Sequence, residues 1–461
     1  MSQAPRRISG VSAPESALLV KTARLAAEYL ANLPTRPIPP SAEAIAALGS
    51  LCTALPQQPA EPAEVIELLA SLAGPATVAS AGGRYFGFVT GGCLPAALSA
   101  AWLASSWDQN GSLQVQSPAG SALEETALEW TRELLQLPPG VGGGVVTGAT
   151  MANFTCLAAA RHALLTRAGW SVENDGLFGA PPLTVVLGDE AHTSLLKSLG
   201  MLGLGRKRVI RVPVDSQGRI RADRLPALDD RTILCLQAGN VNTGAFDPAS
   251  EICPRARDAG AWVHVDGAFG LWAAASPRFA HLTRGFDGAD SWATDAHKWP
   301  NIGYDCGIAL VRNPAMLREA MSVQAAYLLQ GDKREPCHYT PELSRRARGI
   351  ELWAGLRSLG RSGVAALVER TSDYARRFAE GLAEAGYRVL NDVVINQVLV
   401  SFGSPDHTTR TIARVQAEGT CWCGSTVWQG QTAMRISVSS WATTREDVEQ
   451  SLAAILKAAR S

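Results

Sequence analysis

Across residues 82–355, short β-branched and apolar runs alternate with stretches whose apolar positions recur at helical spacing. The runs cover residues 184–187, 209–212, 232–237, 262–266, 291–295 and 307–311. This alternation predicts an α/β domain with a mainly parallel central sheet. Ligands of such sheets bind beyond the carboxyl ends of the strands, so the chemistry is expected just after these runs. Upstream, residues 16–72 are rich in Ala and Leu at helical spacing, broken by proline-bearing segments at 33–40 and 56–62. They predict a helical arm too small for a large core of its own, whose apolar faces pack on the main body or on a second subunit. Beyond residue 356 the pattern changes to long helices such as 364–385, strands at 398–402 and 434–437, and a closing helix from Arg445. The expected division is an N-terminal helical arm (1–81), a large domain (82–355) and a smaller α+β C-terminal domain (356–461).

Composition narrows the function class. The 461-residue chain is long enough for more than one core and an enclosed site. Lys plus Arg and Asp plus Glu both number 42, so no net positive charge is available to neutralise a nucleic-acid backbone, and nucleic acid is not an expected partner. Nine scattered cysteines suit a reducing cytoplasm better than a disulfide framework. No run reaches the length of a membrane span, and no apolar segment follows Arg6 and Arg7 as a signal peptide requires. The histidines and Cys421-Trp-Cys423 lack zinc-site spacing, and no G-x-S-x-G elbow is present, so neither metal nor serine-hydrolase chemistry is expected.

Three segments that follow strand candidates carry reactive side chains. Trp262-Val-His-Val-Asp266-Gly-Ala268 ends in an acid, and Asp295-Ala-His297-Lys298-Trp places a lysine just past the next run. Both project into one crevice. Pyridoxal phosphate requires such a pair: an amine to bind the aldehyde and a carboxylate to keep the ring nitrogen protonated. At about 3 Å and an effective dielectric near 20, that carboxylate is worth on the order of 5 kcal/mol before desolvation. Gly142-Gly-Gly-Val-Val-Thr-Gly-Ala149-Thr150 leads into an amphipathic stretch, and a helix start of small residues favours an anion. His192 follows a third run and is positioned to stack on a flat ring. Each piece alone also fits a turn or a structural hydrogen bond; their order along the chain selects the cofactor reading.

With these motifs, and with the weaker Gly244-Ala-Phe246-Asp247, the sequence resembles the group II pyridoxal-phosphate amino-acid decarboxylases, which include aromatic-amino-acid, histidine and glutamate decarboxylases. The resemblance implies the aspartate-aminotransferase-like fold (fold type I), a homodimer with its active site at the interface, and pyridoxal 5'-phosphate as cofactor. It implies that Lys298 forms the Schiff base, Asp266 pairs with the pyridine nitrogen, and His192 and Ala268 sandwich the ring. Ala149, Thr150 and His297 would hold the phosphate. Tyr327 matches a tyrosine that protonates the carbon left after CO2 departs, or else packs in a helix; its presence favours amine over aldehyde formation. Arg435 resembles an arginine that meets the substrate carboxylate, with an interdomain salt bridge as the alternative.

Two departures stand out. Residues 239–242 replace a threonine-rich run, leaving Asn240 or Asn242 to reach the cofactor's 3-hydroxyl, and Asp295 stands where an asparagine is common. The apolar segment around Phe86 and Phe88 is expected to line the substrate pocket. It favours a neutral amino acid, aromatic over aliphatic, since an unpaired side-chain carboxylate buried there would cost several kcal/mol. Arg84, Gln114 and Gln116 are the groups able to pair with one. Aminotransfer or lysis on the same fold, and decarboxylation of glutamate or aspartate, are the alternatives.

Overall fold

The computed structural model describes residues 13–322 and 333–460. Its centre is a seven-stranded sheet of β1 (Gly142–Val146), β2 (Thr184–Gly188), β3 (Ile210–Val212), β4 (Thr232–Gln237), β5 (Trp262–Asp266), β6 (Ser291–Asp295) and β7 (Gly307–Val311). The order is β1-β7-β6-β5-β4-β2-β3. All neighbours are parallel except β7, which runs antiparallel to β1 and β6.

Both faces of this sheet are covered, which is why its strands read as continuous apolar runs rather than strict alternations. Alternate residues still part to opposite sides. Val263 and Val265 join one core with Leu234, Leu236 and Trp292, whereas Trp262 joins a second with Ile233, Cys235 and Ala293. The helix Ala149–Arg167 packs on that second side, contributing Cys156, Leu157 and Leu164.

β1 carries three consecutive glycines, an unfavourable strand sequence by propensity. Packing explains them. A Cβ on Gly143 would lie 1.8 Å from the Ala309 carbonyl oxygen of β7, and one on Gly144 would lie 2.6 Å from Thr340 Cγ2. Gly307 is equally constrained, since its Cβ would fall 2.4 Å from Gly148 Cα. That close approach brings the start of the helix Ala149–Arg167 beside the β6–β7 connection.

A second, antiparallel sheet runs β10-β11-β9-β8, with β8 (Arg388–Val389), β9 (Gln397–Ser401), β10 (Gly424–Trp428) and β11 (Gln431–Ser437). The helices Pro405–Glu418 and Arg445–Arg460 cover it around Phe378, Val398, Val400 and Met434. The helical segment Gly349–Glu384 is interrupted at Gly360, where φ is 61°. Near the N-terminus the helix Ala13–Asn32 leaves Leu19 and Val20 exposed. No helix among the described residues is long and apolar enough to cross a membrane.

Candidate active site

The carboxyl ends of β4, β5 and β6 open into a cleft of about 390 Å³. The start of the helix Ala149–Arg167 closes one end of it, with Thr147, Gly148, Ala149 and Thr150 in the lining. His192, Asp266, Ala268, His297 and Lys298 line it as well. Seven of the residues singled out in the sequence therefore converge on one cavity, although they come from four separate segments.

Asp266, the last residue of β5, is 4% exposed. Its Oδ2 accepts a hydrogen bond from Asn153 Nδ2 at 3.0 Å and its Oδ1 accepts one from the Ala268 amide at 3.3 Å. It pairs with no arginine, lysine or histidine among the described residues. A buried carboxylate without a counter-cation is costly, so a cationic ring nitrogen arriving from the cleft would satisfy it.

Lys298 follows β6, its Nζ 3.1 Å from Asp295 Oδ2 and 5.9 Å from the centre of the Phe269 ring. The other Asp295 oxygen accepts from the Ala149 amide at 2.6 Å and lies 3.5 Å from His297 Nε2. Burial lowers the pKa of His297, opposed by the neighbouring Asp295 charge. Its ring lies 4.4 Å from that of Tyr304, which is exposed at the cleft mouth. His192 caps the helix Thr193–Met201, its Nδ1 accepting from the Ser194 amide at 3.3 Å. Its pKa is lowered, by burial first and by the Lys298 and Arg435 charges in addition, while Asp266 opposes the shift.

These residues fit pyridoxal phosphate. A helix N-terminus and His297 suit the phosphate, Asp266 lacks a cation, Lys298 offers an amine, and His192 and Ala268 line the same cleft. Arg435 on β11 is half-buried and donates to Asn242 Oδ1 at 3.4 Å, with no carboxylate partner among the described residues. Burial alone lowers its pKa.

Other expected residues lie elsewhere. Asn240 is consumed by its own turn: Nδ2 donates to Gln237 Oε1 at 3.0 Å, and Oδ1 accepts from the amides of Asn242 and Thr243. It does not line the cleft, whereas Gln237, Gly239 and Val241 do. Phe86 is buried against Phe378 with ring centres 5.0 Å apart, and Phe88, exposed, stacks on Trp422 at 5.4 Å. Neither lines the cleft within a single chain. Arg84 is engaged by the Pro34 carbonyl and Gln450. Tyr327 lies outside the described residues. Sequence reasoning did not find Gln237, Phe269 or Tyr304; Gln237 ends the β4 run, where the strand-end rule could have located it.

The profile of the pyridoxal-dependent decarboxylase conserved domain matches residues 51–403. A phenylacetaldehyde synthase from a Rosa hybrid cultivar is 32% identical over 62% of this chain and 59% of its own length. An aromatic-L-amino-acid decarboxylase from Drosophila lebanonensis is 29% identical over 73% of this chain and 88% of its own. Among solved structures, Oryza sativa TDC with PLP and tryptamine superposes with a TM-score of 0.88 at 22% identity, covering 98% of this chain and 99% of that one.

Proposed function

Because the chain belongs to the pyridoxal-dependent decarboxylase family, we propose that it removes the α-carboxyl group of a neutral, aromatic L-amino acid as CO2 and releases the amine. The observation that carries this reading is the buried, cation-free Asp266 carboxylate sharing a cleft with the Lys298 amine. When bound, pyridoxal phosphate supplies an electron sink for the pair left behind by the departing CO2.

The chain's residues have distinct tasks around that sink. Lys298 holds the cofactor covalently, and Asp266 keeps a proton on the ring nitrogen. His192 and Ala268 cover the two ring faces and confine its orientation. Ala149, Thr150 and His297 hold the phosphate, using the positive end of the helix Ala149–Arg167. Arg435 takes the substrate carboxylate, since its half-buried guanidinium has no acidic partner among the described residues and its charge acts on His192 in the cleft. Gln237, which lines the cleft, is better placed than Asn240 to meet the 3-hydroxyl. The fly relative, by its name, acts on aromatic amino acids, the substrate class proposed here.

The working form is a homodimer in the cytoplasm. Phe88, Trp102, Leu103 and Trp107 are each 44% to 62% exposed, an apolar surface that a second copy would cover. Phe88, exposed on that surface, would then meet the substrate across the subunit contact, whereas Phe86 is held in the core against Phe378 and supports the segment from within. The nine scattered cysteines, with no spacing of a disulfide framework, suit a reducing compartment.

The decisive experiment supplies the cofactor-loaded enzyme with a panel of L-amino acids and measures CO2 and amine together. Phenylalanine, tyrosine or tryptophan should give the highest kcat/KM, with equimolar CO2 and amine. A glutamate value equal to or above theirs refutes the substrate assignment, and keto-acid formation without CO2 refutes decarboxylation itself.

A further inference from the structure

Trp262, His264 and Asp266 alternate along β5 and so point to one face of the sheet, toward the helix that carries Asn153. His264 and Ser291 are directly paired across β5 and β6. The side chains form one continuous buried line: Trp262 Nε1 to Ser291 Oγ at 2.9 Å, Ser291 Oγ to His264 Nδ1 at 2.9 Å, His264 Nε2 to Asn153 Oδ1 at 2.8 Å, and Asn153 Nδ2 to Asp266 Oδ2 at 3.0 Å. His264, Asn153 and Ser291 are each 0% exposed.

We propose that this line is a one-way hydrogen-bond relay that holds Asp266 as an anion facing the cleft, with His264 and Asn153 as its positioning residues. The direction follows from donor and acceptor capacity. An indole N–H only donates, so Ser291 Oγ accepts from Trp262; at the other end His264 Nε2 faces the acceptor Asn153 Oδ1 and must donate to it, so Nδ1 accepts and the Ser291 hydroxyl proton goes there. That leaves the single proton of a neutral imidazole on Nε2, where it donates to Asn153 Oδ1. The Asn153 amide is thereby oriented with its NH2 toward Asp266, which accepts. Reversing the relay would turn the Asn153 carbonyl toward the carboxylate, lone pair against lone pair, unless Asp266 were protonated. Burial supports the neutral state of His264 by driving its pKa down to about 3. No ionisable group hydrogen-bonds to His264, whose partners are Ser291 and Asn153. The relay thus fixes Asp266 without adding a charge that would compete with the ring nitrogen.

The inference rests on the cofactor reading above, and its test separates the two. Titration with pyridoxal phosphate labelled with 15N in the ring gives both Kd and the protonation of the ring nitrogen. His264→Leu and Asn153→Ala should raise Kd at least tenfold and move the 15N shift toward the unprotonated ring. His264→Gln, whose amide can still donate to Asn153, should stay within about threefold of wild type. If wild type binds no cofactor, the functional reading fails. If wild type binds and His264→Leu matches it in Kd and shift, or His264→Gln is as impaired as His264→Leu, the relay fails. Should His264→Leu not fold, 15N-histidine spectra of the wild type decide: His264 should show the Nε2–H tautomer unchanged from pH 5 to 8. An Nδ1–H tautomer, or protonation in that range, overturns the proposal.

Discussion

The Asp295 carboxylate accepts from the Ala149 backbone amide at 2.6 Å, so an acidic side chain stands at the helix N-terminus where the cofactor's phosphate is expected. The helix dipole and free amide stabilise either anion there, and the two compete. Like charges about 4 Å apart repel by on the order of 4 kcal/mol at an effective dielectric of 20, which Lys298, 3.1 Å from the other oxygen, partly offsets. Asp295→Asn should therefore bind pyridoxal phosphate about tenfold more tightly, equivalent to about 1.4 kcal/mol. Fluorescence titration of the apoenzyme measures it; an unchanged or higher Kd would show that the carboxylate positions the site rather than competing for it.

Lys298→Ala removes the amine proposed to anchor the cofactor. The variant should lose the visible absorption band of covalently bound cofactor and all measurable decarboxylation, while retaining weak non-covalent binding through the phosphate seat. In wild type, borohydride should trap the label on Lys298. A label on another lysine would displace Lys298 from its assigned role.

Burial depresses the His264 pKa from the ordinary 6.5 to about 3, and this has a consequence for acid stability. The unfolded chain takes up a proton near pH 6.5 that the folded chain refuses, so the contribution is fully present above 6.5 and is lost as pH falls toward 3. At pH 4 the loss amounts to about 3 kcal/mol. His264→Gln cannot take up that proton. Between pH 7 and pH 4, urea unfolding of the apoenzyme should therefore lose less stability in the variant than in wild type. Parallel losses would show that the imidazole is accessible to protons in the fold.

Much of this site was legible because its residues follow strong apolar runs. β4, β5, β6 and β7 coincide with the segments expected from sequence; Asp266 ends one such run, and His192 and Lys298 follow others within a few residues. β1 was not legible. Its glycines conceal any strand pattern, and the approach of Ala309 and Thr340 explains Gly143 and Gly144. The relay was half visible: His264 alternates with Asp266, but its partner Asn153 comes from a distant helix, and no local pattern encodes that meeting. Phe86 illustrates the opposite failure. An apolar run near a pocket motif signals burial, yet burial against Phe378 satisfies it as well as a substrate would.

On the proposed function, the choice between amine and aldehyde would fall to Tyr327, which the family resemblance assigns as the acid that protonates the carbon left after CO2 departs. Both outcomes occur among the relatives by name, since the rose protein is a phenylacetaldehyde synthase and the fly protein a decarboxylase. Loss of a positioned general acid typically costs about 10² to 10⁴ in rate. A carbon left unprotonated for longer has more time to pass its electrons to dissolved oxygen, giving aldehyde, ammonia and hydrogen peroxide in place of amine. Tyr327→Phe should keep cofactor binding intact, because the ring of residue 327 is preserved and only the hydroxyl is lost. Its amine yield per CO2 should fall, with oxygen uptake and peroxide rising to match. Following oxygen, CO2 and amine together at equal cofactor occupancy tests this directly. Wild-type rate with one amine per CO2 in the variant would mean that another group delivers the proton, and Tyr304, already at the cleft mouth against His297, would be the next residue to replace.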